Sequence, residues 1–484
     1  MGGDGSLDKP YCACATPPGV SGIAVIRMAG EGSASVADQV IRIRRAAGDA
    51  KTVKEMAGYT VAYGTIIDPS SEETIDEVMV TRFCAPHSYT GEESVEISCH
   101  GGLTVRQEIL RVLLENGARM AGPGEFTKNA FIAGKIDLSQ AEAVMDVISA
   151  DSELALRAAE SQLSGSLKEQ VENISAVLYL QLSLFEMFLD EIEEEDDNET
   201  KNHYAEELEK SVYHRLSELT DSYKQGRILS ERMKIVICGI PNSGKSSLLN
   251  CLSGYDRAIV TDVPGTTRDT LEVVTSIRGI PVKLIDTAGI RKTDDVVEAI
   301  GVDRANAAIS EADIVLWLVS TDEEEKTITD LIDPIMTLPK ETKIALLISK
   351  SDTSDEETVR KQEEKVMALI ANKGYSRGPD LRGSLSSVTG EGLSKIEEFI
   401  RNAYDEMGAT SSVGLLVTNR RHFEVLSAAL EKVGRSIAAL RAGDPLEGPA
   451  LLIRAALEDV GEITGKSVSD TLVDTIFSRF CVGK

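Results

Sequence analysis

Gly239-Ile240-Pro241-Asn242-Ser243-Gly244-Lys245-Ser246 has the residue types and spacing needed to hold a polyphosphate. Glycines at the bends let the backbone wrap so that several N–H groups face inward, where side chains would obstruct. Lys245 supplies charge to the β- and γ-phosphates, and Ser246 offers a hydroxyl ligand to Mg2+. The helix that begins here, with Ser247 in its first turn, adds the positive end of its dipole. Asn242 to Ser247 are therefore the expected phosphate-contacting positions.

Two further segments fit the same chemistry in the same order. Asp286-Thr287-Ala288-Gly289 follows the strand-like Val282 to Ile285, where a carboxylate acts near Mg2+ and a glycine amide senses the γ-phosphate. Thr266-Thr267-Arg268-Asp269 lies in a Gly- and Pro-containing loop suited to offering a hydroxyl to Mg2+, with Thr267 the expected partner of Ser246. Base choice rests on Ser349-Lys350-Ser351-Asp352. The Asp352 carboxylate can accept both N1–H and the exocyclic amine of guanine, a pair adenine lacks, while the Lys350 stem lies along the purine. GTP-binding proteins usually carry Asn where this chain has Ser349, so weaker base binding without a change of base is expected. Ser386-Ser387-Val388 stands where a last guanine-contacting loop belongs, although its residues alone read as ordinary loop. Ile290 occupies the place of a water-orienting Gln. Either hydrolysis is nearly absent, or another group orients the water.

These segments need strand ends to hold them. Met233 to Cys238, Asp313 to Val319 and Lys343 to Ser349 look like strands buried on both faces, the pattern of a parallel sheet in an α/β fold. Before them, no proline occurs between Pro123 and Pro241, and Ile174, Val177, Leu178, Leu182 and Phe185 recur at helical spacing. Helical character returns in Arg420 to Leu440 and Pro449 to Phe480. Glu191 to Asp197 reads as a solvated turn or helix end. The first 136 residues mix short strand-like runs (Ile23 to Ile26, Val78 to Phe83) with a helix over Leu103 to Asn116, which is α+β. The expected architecture is a Ras-like α/β P-loop domain (231–405) inserted into an all-α domain (137–230 and 406–484). An α+β N-terminal domain (1–136) precedes both.

The order of Gly-x-Pro-Asn-x-Gly-Lys-Ser-Ser, Gly-Thr-Thr-Arg-Asp, Asp-Thr-Ala-Gly-Ile and terminal Phe480-Cys481-Val482-Gly483-Lys484 resembles the MnmE (TrmE) family over essentially the whole chain. The resemblance implies a K+-stimulated, Mg2+-dependent GTPase that acts, as a homodimer, in C5 modification of the tRNA wobble uridine. It implies a heterotetramer with the FAD-containing partner MnmG, and a tetrahydrofolate derivative (5,10-methylene- or 5-formyl-) as one-carbon donor. Glu298, in Val297-Glu298-Ala299-Ile300-Gly301, takes the water-positioning role. Asn242, Thr261, Val263 and Thr266 match K+ ligands, and Cys481 becomes a catalytic candidate. Arg27, Glu96, Lys135 and Lys484 match folate contacts, with Pro123-Gly124-Glu125-Phe126-Thr127 nearby in the same pattern. The alternative is a non-catalytic GTP-dependent switch, which would need neither Cys481 nor the folate residues.

Composition bounds these readings. Lys and Arg number 51 against 79 Asp and Glu, a net charge of −28, so a broad basic surface for nucleic acid is not expected. The uncharged stretch Pro10 to Ile26 is broken by Pro17, Pro18, Gly19 and Gly22 and is too short to span a bilayer. No signal peptide is visible, and the 7 cysteines have no regular spacing, so a reducing cytoplasm is the expected setting. Cys12 and Cys14 lack further ligands at metal-site spacing, and His100 reads as structural.

Overall fold

The computed structural model describes residues 9–46, 50–190, 198–254, 271–286, 307–407 and 415–484. The acidic run Glu191 to Asp197 lies outside the described residues. The chain forms two compact units, each assembled from separate stretches. Met1–Ile148, Glu160–Tyr213 and Ala428–Lys484 make the first, and Ser149–Ala159 with His214–Ser427 the second.

The first unit opens with β1 (Tyr11–Cys14), β2 (Ser21–Ala29), α1 (Ser33–Val40), β3 (Ile41–Ala46), β4 (Thr60–Ile67), β5 (Thr74–Phe83), β6 (Ser94–Gly101), α2 (Leu103–Glu115) and β7 (Arg119–Met120). Its strands form one sheet in the order β3-β4-β5-β6-β2-β1-β7. Alternation decides which side chains go inside. Ala24, Ile26 and Met28 of β2 and Val95, Ile97 and Cys99 of β6 are buried in one core with Ile109, Val112 and Leu113 of α2. The intervening residues face the other way, and the antiparallel register makes Arg27 and Glu96 direct neighbours. Helix α2 stops at Glu115, one residue short of the expected Asn116, whose side-chain amide donates to the Val112 carbonyl at 2.7 Å.

Helices follow: α3 (Glu125–Ile132), α4 (Leu138–Ser149), α5 (Glu153–Leu163), α6 (Ser166–Asp190), α7 (Asn198–Leu208) and α8 (His214–Glu231). The expected stripe of α6 is buried at Ile174, Leu178, Leu182 and Phe185, with Val177 half-buried, and α6 packs on the helix Glu447–Thr464. The expected helical stretch Pro449 to Phe480 is two helices, Glu447–Thr464 and Asp470–Phe477. Gly465 ends the first in the left-handed region (φ 89°), and the Ser469 hydroxyl caps the second through the Leu472 N–H.

The second unit holds a six-stranded sheet built from β8 (Met233–Cys238), β9 (Leu271–Ile277), β10 (Ile280–Asp286), β11 (Ile314–Ser320), β12 (Lys343–Ser349) and β13 (Leu381–Leu385), with α9 (Lys245–Ser253) after β8. The order is β13-β12-β11-β8-β10-β9, and only β9 pairs antiparallel. Helices cover both faces, which is why β11 is apolar from Ile314 to Val319. Its Ile314, Leu316 and Leu318 pack with Leu248, Leu249, Ile396 and Ile400. Its Val315, Trp317 and Val319 pack with Ile328, Ile332, Val366 and Ile370. The later strands lie on opposite sides of β8, so a crevice opens at its carboxyl end.

Candidate phosphate and base site, and the docked terminal thiol

The loop after β8 is shaped by residues with unusual backbone. Gly239 (φ 147°), Asn242 (φ 67°) and Gly244 (φ 94°) all have positive φ. A Cβ on Gly239 would lie 2.4 Å from the Leu318 carbonyl oxygen, so only glycine lets this loop cross the end of β11. Gly244 then caps α9, turning the amides of its first turn toward the crevice. Lys245 is 3% exposed, and its ammonium donates to the Gly239 and Ile240 carbonyls, at 2.8 Å to the former. Burial lowers its pKa from the ordinary lysine value, while the nearby Asp286 carboxylate opposes that shift. Ser243 is fully buried, and the Ser247 position lies within α9.

Strand β10 brings Asp286 alongside Ile237 of β8. Its Oδ2 accepts the Ser246 hydroxyl at 3.0 Å, and the carboxylate is 2% exposed. A hydroxyl and a buried carboxylate converging beside an ammonium form an all-oxygen donor set that suits a hard divalent cation. Thr261, Asp262, Val263, Pro264, Gly265, Thr266, Thr267, Thr287, Ala288, Gly289 and Glu298 lie outside the described residues.

The base-side segments sit at neighbouring strand ends. Ser349 closes β12 and is buried, its hydroxyl 3.4 Å from the Val319 carbonyl. Lys350 takes a left-handed conformation (φ 60°), starting the short helix that carries Asp352, whose side chain is exposed. After β13, the buried Ser386 hydroxyl accepts the N–H groups of Val388 (3.3 Å) and Thr389 (3.2 Å), folding a tight turn with Val388 exposed. The Ser387 carbonyl accepts the Cys251 thiol from α9 at 3.3 Å. Glu391 was not singled out from sequence, yet it joins the two loops. It accepts Ser351 Oγ at 3.2 Å and Ser384 Oγ at 2.9 Å. The signal available was its placement between Gly390 and Gly392.

In the first unit, Arg27 and Glu96 form an ion pair with Arg27 Nε 2.8 Å from Glu96 Oε1. The guanidinium also lies 5.6 Å from the ring centroids of both Tyr89 and Phe126. The Tyr89 hydroxyl is 3.1 Å from that of Thr127. Lys135 is exposed, and a Cβ on Gly91 would come within 3.8 Å of its stem. Thus Arg27, Glu96 and Phe126 at the start of α3 form one cluster, with Lys135 beside the Tyr89–Glu92 turn. Tyr89, a partner of Arg27 here, was not marked by any motif. A carboxylate paired with a guanidinium between aromatic rings fits a flat heterocycle carrying an amine and an acidic tail.

The chain's last residues dock on the same unit. Val482 forms an antiparallel bridge with Pro123, and Gly124 N–H donates to the Cys481 carbonyl at 3.4 Å. Gly124 (φ 63°) permits this approach, since a Cβ there would sit 2.7 Å from the Phe477 carbonyl and 2.9 Å from Phe480 Cβ. Gly483 (φ 99°) packs on β1, where a Cβ would meet the Cys14 carbonyl at 2.5 Å. Phe480 is buried against Phe477, with ring centroids 5.1 Å apart. Cys481 is held exposed by this arrangement, and Lys484 N–H turns back to the Cys481 carbonyl at 3.3 Å.

Residues 10–135 match the model of the GTP-binding protein TrmE N-terminus, and residues 138–481 that of the MnmE helical domain. The tRNA modification GTPase MnmE of Alkaliphilus metalliredigens is 39% identical over 481 residues, covering 99% of this chain and 100% of that protein. The protein of the same name from Acetivibrio thermocellus is 37% identical over 477 residues, covering 99% of both chains. With two domain models matched over residues 10–135 and 138–481 and whole relatives matched over 99% of the chain, the chain belongs to the MnmE (TrmE) family.

Proposed function

We propose that this chain hydrolyses GTP with Mg2+ and K+ and acts in C5 modification of the tRNA wobble uridine. The observation that carries the reading is the phosphate site: a buried Lys245 in the glycine-bounded loop beside the Ser246–Asp286 pair. In this reading Lys245 and the first-turn amides of α9 bind and orient the phosphates. Ser246 and Thr267 hold Mg2+, and Asp352, Lys350 and the Ser386–Val388 turn select guanine. Bound Mg2+ would offset phosphate charge as the terminal bond breaks. Glu298 would orient the water in place of the missing Gln. Asn242, Thr261, Val263 and Thr266 would hold K+ where other enzymes use an arginine.

Residues 1–136 form the folate-binding and dimerisation part in this proposal, 137–230 with 406–484 the helical part, and 231–405 the GTP-binding part. Arg27, Glu96, Lys135 and Lys484 would bind the tetrahydrofolate derivative, with Glu96 accepting from pterin N–H groups and the cations facing its carboxylates. Cys481, its backbone docked on Gly124 at the start of the helix that carries Phe126, acts near the one-carbon unit. The protein works as a cytoplasmic homodimer with the FAD-containing MnmG and tRNA. None of the helices among the described residues is long and apolar enough to cross a membrane.

GTP turnover in K+ against Na+ tests the reading. Faster turnover in K+, lost in Glu298→Ala, is expected; equal and negligible rates in both salts would overturn the cation-assisted mechanism. A pure GTP-dependent switch is disfavoured by the docked tail, because it would have no use for an exposed thiol fixed against the Pro123–Gly124 segment. Wobble-position nucleosides from cells lacking the protein decide between these two.

A further inference from the structure

Base recognition needs two loops on adjacent strands, β12 and β13, held at a fixed separation. Where Asn is usual, an amide reaches further than a hydroxyl and can touch a neighbouring loop. The Ser349 hydroxyl reaches only the Val319 carbonyl, on the other side, at 3.4 Å. The bridging comes instead from the far side of the site. Glu391 Oε2 accepts the hydroxyl of Ser351, next to Asp352, at 3.2 Å. Its Oε1 accepts the hydroxyl of Ser384, on β13, at 2.9 Å. The backbone of the same residue closes the second loop, with Ser386 N–H donating to the Glu391 carbonyl at 3.0 Å.

This placement is built in by the flanking residues. Gly390 (φ 81°) and Gly392 (φ 85°) are both left-handed, and a Cβ on Gly392 would stand 2.2 Å from the Ser384 carbonyl. The chain therefore reverses tightly around Glu391, which leaves its carboxylate pointing back across both loops. Thr389 Oγ1 accepts the Glu391 N–H at 3.3 Å and helps fix the turn. The Lys350 left-handed turn on the other loop presents Ser351 toward it.

We propose that Glu391 is a positioning residue for guanine recognition, stapling the Asp352 loop to the Ser386 loop in place of the missing asparagine. The proposal rests on the reading above that these two loops contact the base. Without the staple, Asp352 no longer meets N1–H and the exocyclic amine together. The loss then falls more on guanine than on hypoxanthine, which lacks that amine.

The test uses the full-length protein and measures equilibrium binding of GDP and IDP. Glu391→Ala is expected to weaken GDP by about five- to tenfold, the loss of two exposed charge-assisted hydrogen bonds. It should also narrow the GDP-to-IDP ratio by about threefold or more. Glu391→Gln, which can still accept one hydroxyl and donate to the other, should retain most of the affinity. Ser349→Asn placed on Glu391→Ala should restore GDP binding and the ratio, which repair of general stability would not do. Should Glu391→Ala fold poorly, the Ser351→Ala/Ser384→Ala double variant removes the same two bonds and should give the same narrowing. Unchanged GDP binding and ratio in these variants would overturn the proposal. If Asp352→Ala still collapses the GDP-to-IDP ratio in that case, the base-site reading stands without the staple. An unchanged ratio in Asp352→Ala removes the base-site reading itself.

Discussion

Replacing Gly124 by alanine should release the terminal thiol while leaving nucleotide chemistry intact. At φ 63° a non-glycine residue carries left-handed strain of about 1–2 kcal/mol. The new Cβ would also stand 2.7 Å from the Phe477 carbonyl and 2.9 Å from Phe480 Cβ, an overpacking cost of about 1–3 kcal/mol. The opposing term is the docking of residues 480–484, chiefly the burial of Phe480 at about 2 kcal/mol, plus one long hydrogen bond to the Cys481 carbonyl. The two sides are similar in size, so the cheapest relief is for the chain from Phe477 onward to lift, the last turn of the helix Asp470–Phe477 fraying with the tail. Hydrogen exchange of peptides covering 478–484 should then quicken by about tenfold or more, with little change in β8 to β13. Gly483→Ala, whose Cβ would meet the Cys14 carbonyl at 2.5 Å, should reach the same state from the opposite side of the contact. Both variants should keep wild-type GTP turnover and lose tRNA modification. If exchange in the tail is unaltered in both while modification falls, docking is not what Cys481 needs and the reasoning fails.

Three other outcomes are expected. Ser246→Ala removes the hydroxyl 3.0 Å from Asp286 and should cut Mg2+-dependent GTP turnover by about tenfold or more, with only a small change in melting temperature. A thiol reagent at pH 8 should label Cys481 in the folded protein well before Cys12 or Cys238, which mass spectrometry of digested protein would read. Both of the latter are buried, and burial pushes each thiol up to about 12, so almost no thiolate is present. His100 should titrate above about 6.5, the unperturbed imidazole value. The Asp76 carboxylate 2.7 Å from its Nδ1 favours the protonated ring. The sign follows from that rise: the pair stabilises the fold below the unfolded pKa, and this is lost as pH climbs through the higher folded value. An Asp76→Asn variant should return the NMR midpoint to the ordinary range, and an unmoved midpoint would rule this pairing out as the cause.

The phosphate loop was legible because its chemistry is local. Gly239, Gly244, Lys245 and Ser246 must be near one another in sequence to wrap one anion, so spacing alone exposes them. Largely apolar runs likewise marked β8 and β12 to the residue, since a strand covered on both faces confines polar residues, here Lys234, Lys343 and Ser349, to positions near its ends. The break at Gly465 was harder to read: glycine is tolerated within helices, and the two helices are separated by its left-handed backbone together with the Ser469 cap downstream.

What sequence spacing could not supply was proximity across the fold. Arg27 and Glu96 meet because β2 and β6 pair in one register, and a slip by one residue would send one of them into the core. Tyr89, from the turn before β6, and Phe126, from the first turn of α3, reach the same guanidinium. Cys481 gained its place through Gly124 and Gly483, whose missing side chains let two backbones touch. Glu391 bridges hydroxyls 40 and 7 residues away along the chain. Sequence alone determined the groups that must act on one ligand atom by atom, because covalent neighbours carry their geometry with them. Contacts between distant segments were decided only by strand register and loop closure, which depend on how the whole core packs.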